Sequence, residues 1–295
     1  MRVFVTGATG FVGSAIVKEL IEAGHQVLGL ARSEASAQSL IAAGAEVHRG
    51  DLEDLDSLQR GAAASDGVIH TGFIHDFTRF KACCEVDRRA IEALGSALVG
   101  TDRPLIVTSA VGLLRQGSLN TEADRPTGAT PRVSEEAADA VAALGVAVSI
   151  VRLPPSVHGK GDHGFVPILI GIAREKGMAV YTGEGLGCWP AVHRTDAAQV
   201  YRLALEKAAA PGTRYHAVAE EGITSRAIAT VIGKRLGVPV VSKSPEEAAQ
   251  HFSWFAHFAA MDVRAAATQT QELLGWKPTQ PGLLVDIDHD YYFIS

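Results

Sequence analysis

Phe4–Leu20 reads FVTGATGFVGSAIVKEL. An apolar strand runs straight into Gly7, Gly10 and Gly13, and a helix-forming run follows. Glycine at such a turn admits positive φ, a second lets backbone approach a pyrophosphate, and a third lets the helix close on the strand. The amides at the helix start then face the phosphates. Thr9, Phe11 and Val12, interleaved with these glycines, belong to the same cradle. Glycines alone are a weak motif. With a strand before and a helix after, a dinucleotide site is the expected reading.

Outward from this turn, short apolar runs alternate with amphipathic stretches. Strands are expected at Gln26–Ala31, Glu46–His48, Gly67–His70, Leu105–Thr108 and Val146–Val151. Helices are expected at Ser33–Ala43, around Asp54–Ala64, at Phe80–Val99 and at Ser134–Leu144. Strand–helix alternation with right-handed crossovers predicts an α/β fold: a doubly wound parallel Rossmann sheet covered on both faces. After Arg152 the texture changes to Pro/Gly/His loops and helices near 165–176, 197–207, 225–236, 245–260 and 263–274, with one strand near Tyr215–Ala219. This predicts a smaller, mostly helical C-terminal substrate lobe. Residues 1–155 are expected to form the Rossmann domain, completed by about 190–218, with 156–189 and 219–295 in the lobe.

Composition narrows the function. A net charge of −6 without a basic run argues against nucleic acid or an anionic membrane surface. No uninterrupted apolar segment is long enough to span a bilayer. Cys83, Cys84 and Cys188 cannot make a disulfide framework, which points to a reducing cytoplasm. MRVFVTGATG lacks a long apolar core and reads as a strand entering a turn, not as a signal peptide.

The second strand selects the cofactor. It ends GLARSE, with Ala31 and Arg32 where an NAD site usually places an acid. Arg32, helped by Ser33, can pair with a 2′-phosphate, so NADP(H) is preferred over NAD(H). Asp51 and Leu52 end the third strand near the adenine edge. Thr71, Gly72 and Phe73 follow the fourth strand on the same side.

These segments resemble, in order, the extended or atypical branch of the short-chain dehydrogenase/reductase superfamily, of the NAD-dependent epimerase/dehydratase type. The resemblance rests on TGATGFVG, ARS, GDLED, DGVIHTGF, LIVTSAVG, VRLPPSVHG, WPAVHRTDAA and the tail LGWKPTQPGLLVDI. It implies an NADP-binding Rossmann domain, a C-terminal substrate lobe and a homodimer. It also implies a Tyr-x-x-x-Lys pair for proton delivery, with a Ser or Thr after the fifth strand orienting the carbonyl. Pro154, Ser156 and Val157 would then pass close to the nicotinamide.

The chain departs from this pattern at GATPRVSEEAADA. Aligned on Ser134, the tyrosine position holds Pro131 and the lysine position Glu135, and no Tyr-x-x-x-Lys occurs anywhere. Ser134 reads as a helix N-cap, with Glu135 and Glu136 at the positive helix end. Ser109, or the adjacent Thr108, fits the carbonyl-orienting role. The remaining candidates for acid or oxyanion contact are His75, His158 and Arg132. Phe165 and Trp189 are candidate substrate contacts. His158, Asp162 and His163 match no zinc spacing, and no metal is expected. The expected function is an NADPH-dependent carbonyl reductase acting on a small apolar or aromatic molecule. A non-catalytic NADP-binding sensor and a sugar-nucleotide epimerase or dehydratase are the other readings.

Overall fold

A computed structural model describes residues 1–207 and 209–294. The chain opens with β1 (Arg2–Thr6), α1 (Phe11–Glu22), β2 (Gln26–Ala31), α2 (Glu34–Ala42), β3 (Glu46–Arg49), α3 (Leu55–Ala63) and β4 (Gly67–His70). It continues with α4 (Phe80–Ser96), β5 (Leu105–Ala110), β6 (Leu119–Asn120), α5 (Ser134–Ala143) and β7 (Val148–Leu153). Then come β8 (Ser156–His158), α6 (Phe165–Lys176), β9 (Ala179–Thr182), β10 (Cys188–His193), α7 (Arg194–Glu206) and β11 (Thr213–His216). The last elements are β12 (Glu220–Thr224), α8 (Ser225–Leu236), β13 (Val240–Lys243), α9 (Pro245–Phe252), α10 (Ala256–Ala259), β14 (Arg264–Ala265), α11 (Thr268–Leu274) and α12 (Leu283–Asp286).

Seven parallel strands form the central sheet in the order β11-β7-β5-β4-β1-β2-β3. The order reverses between β1 and β4, so a crevice opens there beyond the strand C-termini. Alternation along each strand divides the core. Val3, Val5, Ile69 and Ile106 pack under α1, α2 and α7. Phe4, Val68, Leu105 and Val107 pack under α3, α4 and α5. Each such fully buried side chain contributes about 1.5–3 kcal/mol of transfer free energy, which makes the sheet a rigid platform for the loops at its edge.

The C-terminal lobe is less helical than its sequence suggests. It holds a three-stranded sheet, β12-β10-β8, and a two-stranded pair, β13-β9. These strands are three to six residues long and interrupted by a glycine and a bulge, so period-two alternation is hard to read in them. The expected helix over 245–260 is broken at Ser253, the one described non-glycine residue with positive φ (51°). A 3₁₀ turn, Ser253–Phe255, separates α9 from α10 and turns Trp254 outward. VHRTD ties the start of α7 to the C-terminal segment. His193 accepts from the Thr195 amide at the start of α7, and buried Asp196 accepts from the Thr279 and Gln280 amides. No helix among the described residues is long and apolar enough to cross a membrane. All three cysteines are buried and free.

Candidate functional site

The glycine turn is built for close approach. Gly7 has φ +67°, and a Cβ there would lie 2.7 Å from the Gly72 amide nitrogen. A Cβ on Gly13 would lie 2.0 Å from the Gly7 carbonyl oxygen, so only glycine lets α1 sit on the turn. Gly10 is the N-cap of α1 in extended conformation. No side chain caps this helix, and its first turn carries no acid. The positive helix end beside Thr9, Phe11 and Val12 is therefore left for an anion. Ser156, on β8, is buried and its hydroxyl has no hydrogen-bond partner among the described residues. An orphaned hydroxyl and a cradle that a Cβ would fill both fit a dinucleotide lying between β1, β4 and β8.

At the corner beyond β2, Arg32 is exposed, and no side-chain hydrogen bond or ion pair engages it among the described residues. Ser33 caps α2, accepting from the Ser36 amide. Arg49, unremarked in the sequence, reaches the same corner and donates to the Ser33 carbonyl and to Glu34. Asp51 Oδ1 accepts from the Glu53 and Asp54 amides and shapes the turn, while Leu52 packs against Gly72.

At the other end of the crevice a buried polar chain begins on β1. Thr71 Oγ1 donates to the Thr6 carbonyl, and the Gly72 amide donates to Thr6 Oγ1. Thr6 Oγ1 and His70 Nδ1 lie 2.7 Å apart, and His70 Nε2 lies 3.1 Å from Asp87 of α4. Ser134 Oγ donates to the other Asp87 oxygen. Arg132 closes the chain: Nε donates to Ser134 Oγ at 3.0 Å, an Nη donates to the Thr108 carbonyl at 3.3 Å, and the guanidinium lies 4.5 Å from the Phe73 ring centroid. Burial pushes the Asp87 carboxyl up, but His70, Arg132 and Ser134 outweigh it and hold it below the usual range, so it stays ionised. The expected N-cap role of Ser134 is corrected. The cap position is Val133 with no side-chain bond, because the serine hydroxyl turns inward to Asp87.

Ser109 needs a correction as well. Strand alternation sends it to the α4/α5 face, where it is 1% exposed and donates to Glu135 Oε1 at 2.8 Å. It has no hydroxyl left for a carbonyl in the crevice. Glu135 is itself buried, clamped by Arg152 through both oxygens and by Arg214. Burial pushes its carboxyl up, yet the bonds and charge of Arg152, with Ser109 and Arg214, hold it below the usual range. The parity that faces the crevice belongs to Thr108 and Ala110. Thr108 Oγ1 donates to the His70 carbonyl and lies 2.9 Å from the Tyr201 hydroxyl. Ala110 has no hydroxyl. Tyr201 is fully buried, and burial raises its phenol pKa.

The two histidine candidates separate. His158 is buried on β8 with Nδ1 2.9 Å from Asp286. Asp286 also accepts from Tyr291 and Tyr292 of the C-terminal tail. Tyr292 reaches on towards Asp162, whose carboxyl burial pushes up to about 6. His75 stands at the crevice rim, its ring edge-on to Phe73 at 5.2 Å. Desolvation and then the charge of Arg132 hold its imidazole below the ordinary value. No metal-binding cluster of His, Cys, Asp or Glu occurs among the described residues.

An aromatic wall joins the lobes over this rim. Phe77 lies 5.5 Å from Phe258 and 6.5 Å from Trp254, and Phe258 lies 4.8 Å from Phe165. Phe165 continues to Trp189 at 5.6 Å. Trp189 is 5% exposed and backs the wall; Phe77 and Trp254 are 44% and 61% exposed and form its open end. Pro154 precedes β8 and Val157 lies within it.

The sequence pattern of the NAD dependent epimerase/dehydratase family matches residues 3–217. An uncharacterized protein of Schizosaccharomyces pombe is 53% identical over 99% of this chain and 100% of its own length. A 2-alkyl-3-oxoalkanoate reductase of Stenotrophomonas maltophilia is 28% identical, over 83% of this chain and 78% of its own. Among solved structures, the dTDP-glucose 4,6-dehydratase DesIV of Streptomyces venezuelae, with NAD and TYD bound, superposes with a TM-score of 0.78. It is 20% identical and covers 98% of this chain and 95% of its own.

Proposed function

This chain belongs to the NAD dependent epimerase/dehydratase family, and from that premise we propose that it is an NADP(H)-dependent oxidoreductase reducing a small apolar or aromatic carbonyl compound. One observation carries the reading. The uncapped N-terminus of α1 and the Arg132–Phe73 pair open onto the same edge of the sheet, beneath an aromatic wall. When bound, the dinucleotide supplies a hydride. The protein's own groups do the rest. Gly7, Gly10 and Gly13 admit the pyrophosphate, and Arg32 with Ser33 receives the 2′-phosphate. Thr71, Gly72, Phe73, Pro154, Ser156 and Val157 border the reactive ring. Arg132 offers a fixed positive charge to oxygen developing negative charge. Ser109 acts at a distance, holding Glu135 and through it the base of α5.

The reductase name of the Stenotrophomonas relative supports the reaction class. A non-catalytic NADP-binding sensor is the second reading, favoured by the bare methyl of Ala110 and the sequestered Ser109. A homodimer through helices flanking the sheet, working in the cytoplasm on small molecules, completes the proposal. Titrating NADPH and NADH into the parent and Arg32→Glu proteins tests the cofactor half. Equal affinities for both cofactors in both proteins would remove Arg32 from phosphate recognition.

A further inference from the structure

We propose that the carbonyl reduced here is a quinone, or a carbonyl conjugated to an aromatic ring in the same way, whose reduced form leaves as a stabilised aryloxide. The proposal rests on the reductase reading above and names its substrate class.

The first ground is that, among the described residues, the proton donors expected from the sequence are engaged elsewhere, buried or neutral. Ser109 donates to Glu135, Thr108 is engaged by His70 and Tyr201, and Ala110 carries no hydroxyl. Tyr201 and His158 are buried, and the lowered pKa of His75 leaves it neutral and a poor acid at pH 7. The second ground is what occupies the place instead. Arg132 is held on three sides, by Ser134, by the Thr108 carbonyl and by the Phe73 ring. A guanidinium does not give up its proton in this range, but it binds an anion well. The third ground is the aromatic wall, whose exposed Phe77 and Trp254 face each other from opposite lobes at 6.5 Å.

Chemistry links the three. Hydride addition to an isolated ketone makes an alkoxide about as basic as hydroxide (water pKa about 15.7), so an acid must accompany the transfer. Reduction of a quinone makes an aryloxide, the conjugate base of a phenol of pKa about 10. That anion needs a cation beside it and no acid. The quinone takes up a hydride from the reduced dinucleotide, which is oxidised. Its two C=O bonds become one C–OH and one C–O⁻, and a proton from water then completes the hydroquinone. Planar rings also stack on Phe and Trp where aliphatic chains do not.

The test uses the whole protein with NADP⁺, and 4-nitrophenol as a chromogenic mimic of the product anion. Bound nitrophenol should ionise about one unit or more lower than free, read from its phenolate absorbance. Arg132→Met should abolish that shift, while Arg132→Lys, which keeps the charge, should retain part of it. Quenching of Trp254 fluorescence, missing in Trp254→Phe, reports binding in every variant that folds. In parallel, NADPH oxidation is measured with menadione and with 2-octanone. The proposal expects kcat/KM for menadione to be greater by about a hundredfold, the scale on which a single electrostatic contact acts. Comparable turnover of 2-octanone, with no shift of the phenol, would overturn the quinone assignment and leave the reductase reading intact. No oxidation with either compound and no phenol binding would overturn both.

Discussion

Glu135→Gln tests the buried clamp around Glu135, the residue that alignment on Ser134 sets at the lysine position of the resemblance. In the parent, four donors converge on two oxygens: Ser109 Oγ and Arg152 Nε on Oε1, Arg152 Nη and Arg214 Nε on Oε2, all at 2.8–2.9 Å. Glutamine keeps the shape but offers one acceptor oxygen and turns an NH₂ towards guanidinium donors. At most two of the four bonds survive. Two lost bonds to charged groups, at about 1.5–3 kcal/mol each, suggest a cost of about 3–6 kcal/mol. Arg214 still has Asp139, but fully buried Arg152 is left with the Glu122 and Asp124 carbonyls and His216. Breaking a buried pair from one side costs about 3–5 kcal/mol by the general rule, which agrees. Against a total of about 5–15 kcal/mol, urea denaturation should show the midpoint fall by a third or more, with Tm lower by about 10 °C. Because the folded carboxyl is depressed, its contribution is full above the ordinary carboxylate pKa and disappears as pH falls through the folded value. Parent and variant should therefore converge in acid. A change under about 1 kcal/mol at pH 7 would refute the clamp as a source of stability.

Four further outcomes follow from the same geometry. Ser109→Ala should lose about 1–2 kcal/mol of stability and leave NADPH affinity unchanged; weakened cofactor binding would put Ser109 back in the crevice. Gly13→Ala should weaken NADPH binding by about tenfold or more, since its Cβ would lie 2.0 Å from the Gly7 carbonyl; unchanged binding by titration calorimetry would contradict the cradle. Arg32→Glu should move preference towards NADH by about tenfold, read as the ratio of the two dissociation constants. Asp162 has a raised folded pKa of about 6, so its stabilising contribution is full below 3.8 and is lost as pH rises to 6. Asp162→Asn should therefore be more stable than the parent at pH 7.5, with the gap closing near pH 4; a gap independent of pH would argue against that shift.

The glycine turn was legible because its constraints are local. A glycine that must adopt φ +67° and a helix that must start uncapped leave their mark in ten consecutive residues. The same holds for the sheet, whose strands are short apolar runs between glycines. The chemistry was harder to read because its contacts are long-range. Nothing near Ser109 in sequence announces that Glu135, 26 residues on, will take its hydroxyl. Strand parity alone could have shown that Ser109 faces away from Thr108. Arg132 was visible as a candidate, but its setting depends on Asp87 and Phe73 from other elements. The aromatic wall was least legible: Phe252 and Phe255 are buried in the core, while the break at Ser253 turns Trp254 outward to the wall's open end.

The central claim is that this crevice turns over NADPH and does more than hold it. The direct measurement is loss of the reduced-nicotinamide absorbance with quinones, aryl ketones and aldehydes as acceptors, beside an NADPH binding titration on the same preparation. The account predicts tight binding together with turnover on at least one aromatic acceptor, sharply reduced in Arg132→Met. Tight binding with no turnover on any acceptor would contradict it and favour the non-catalytic NADP-binding reading.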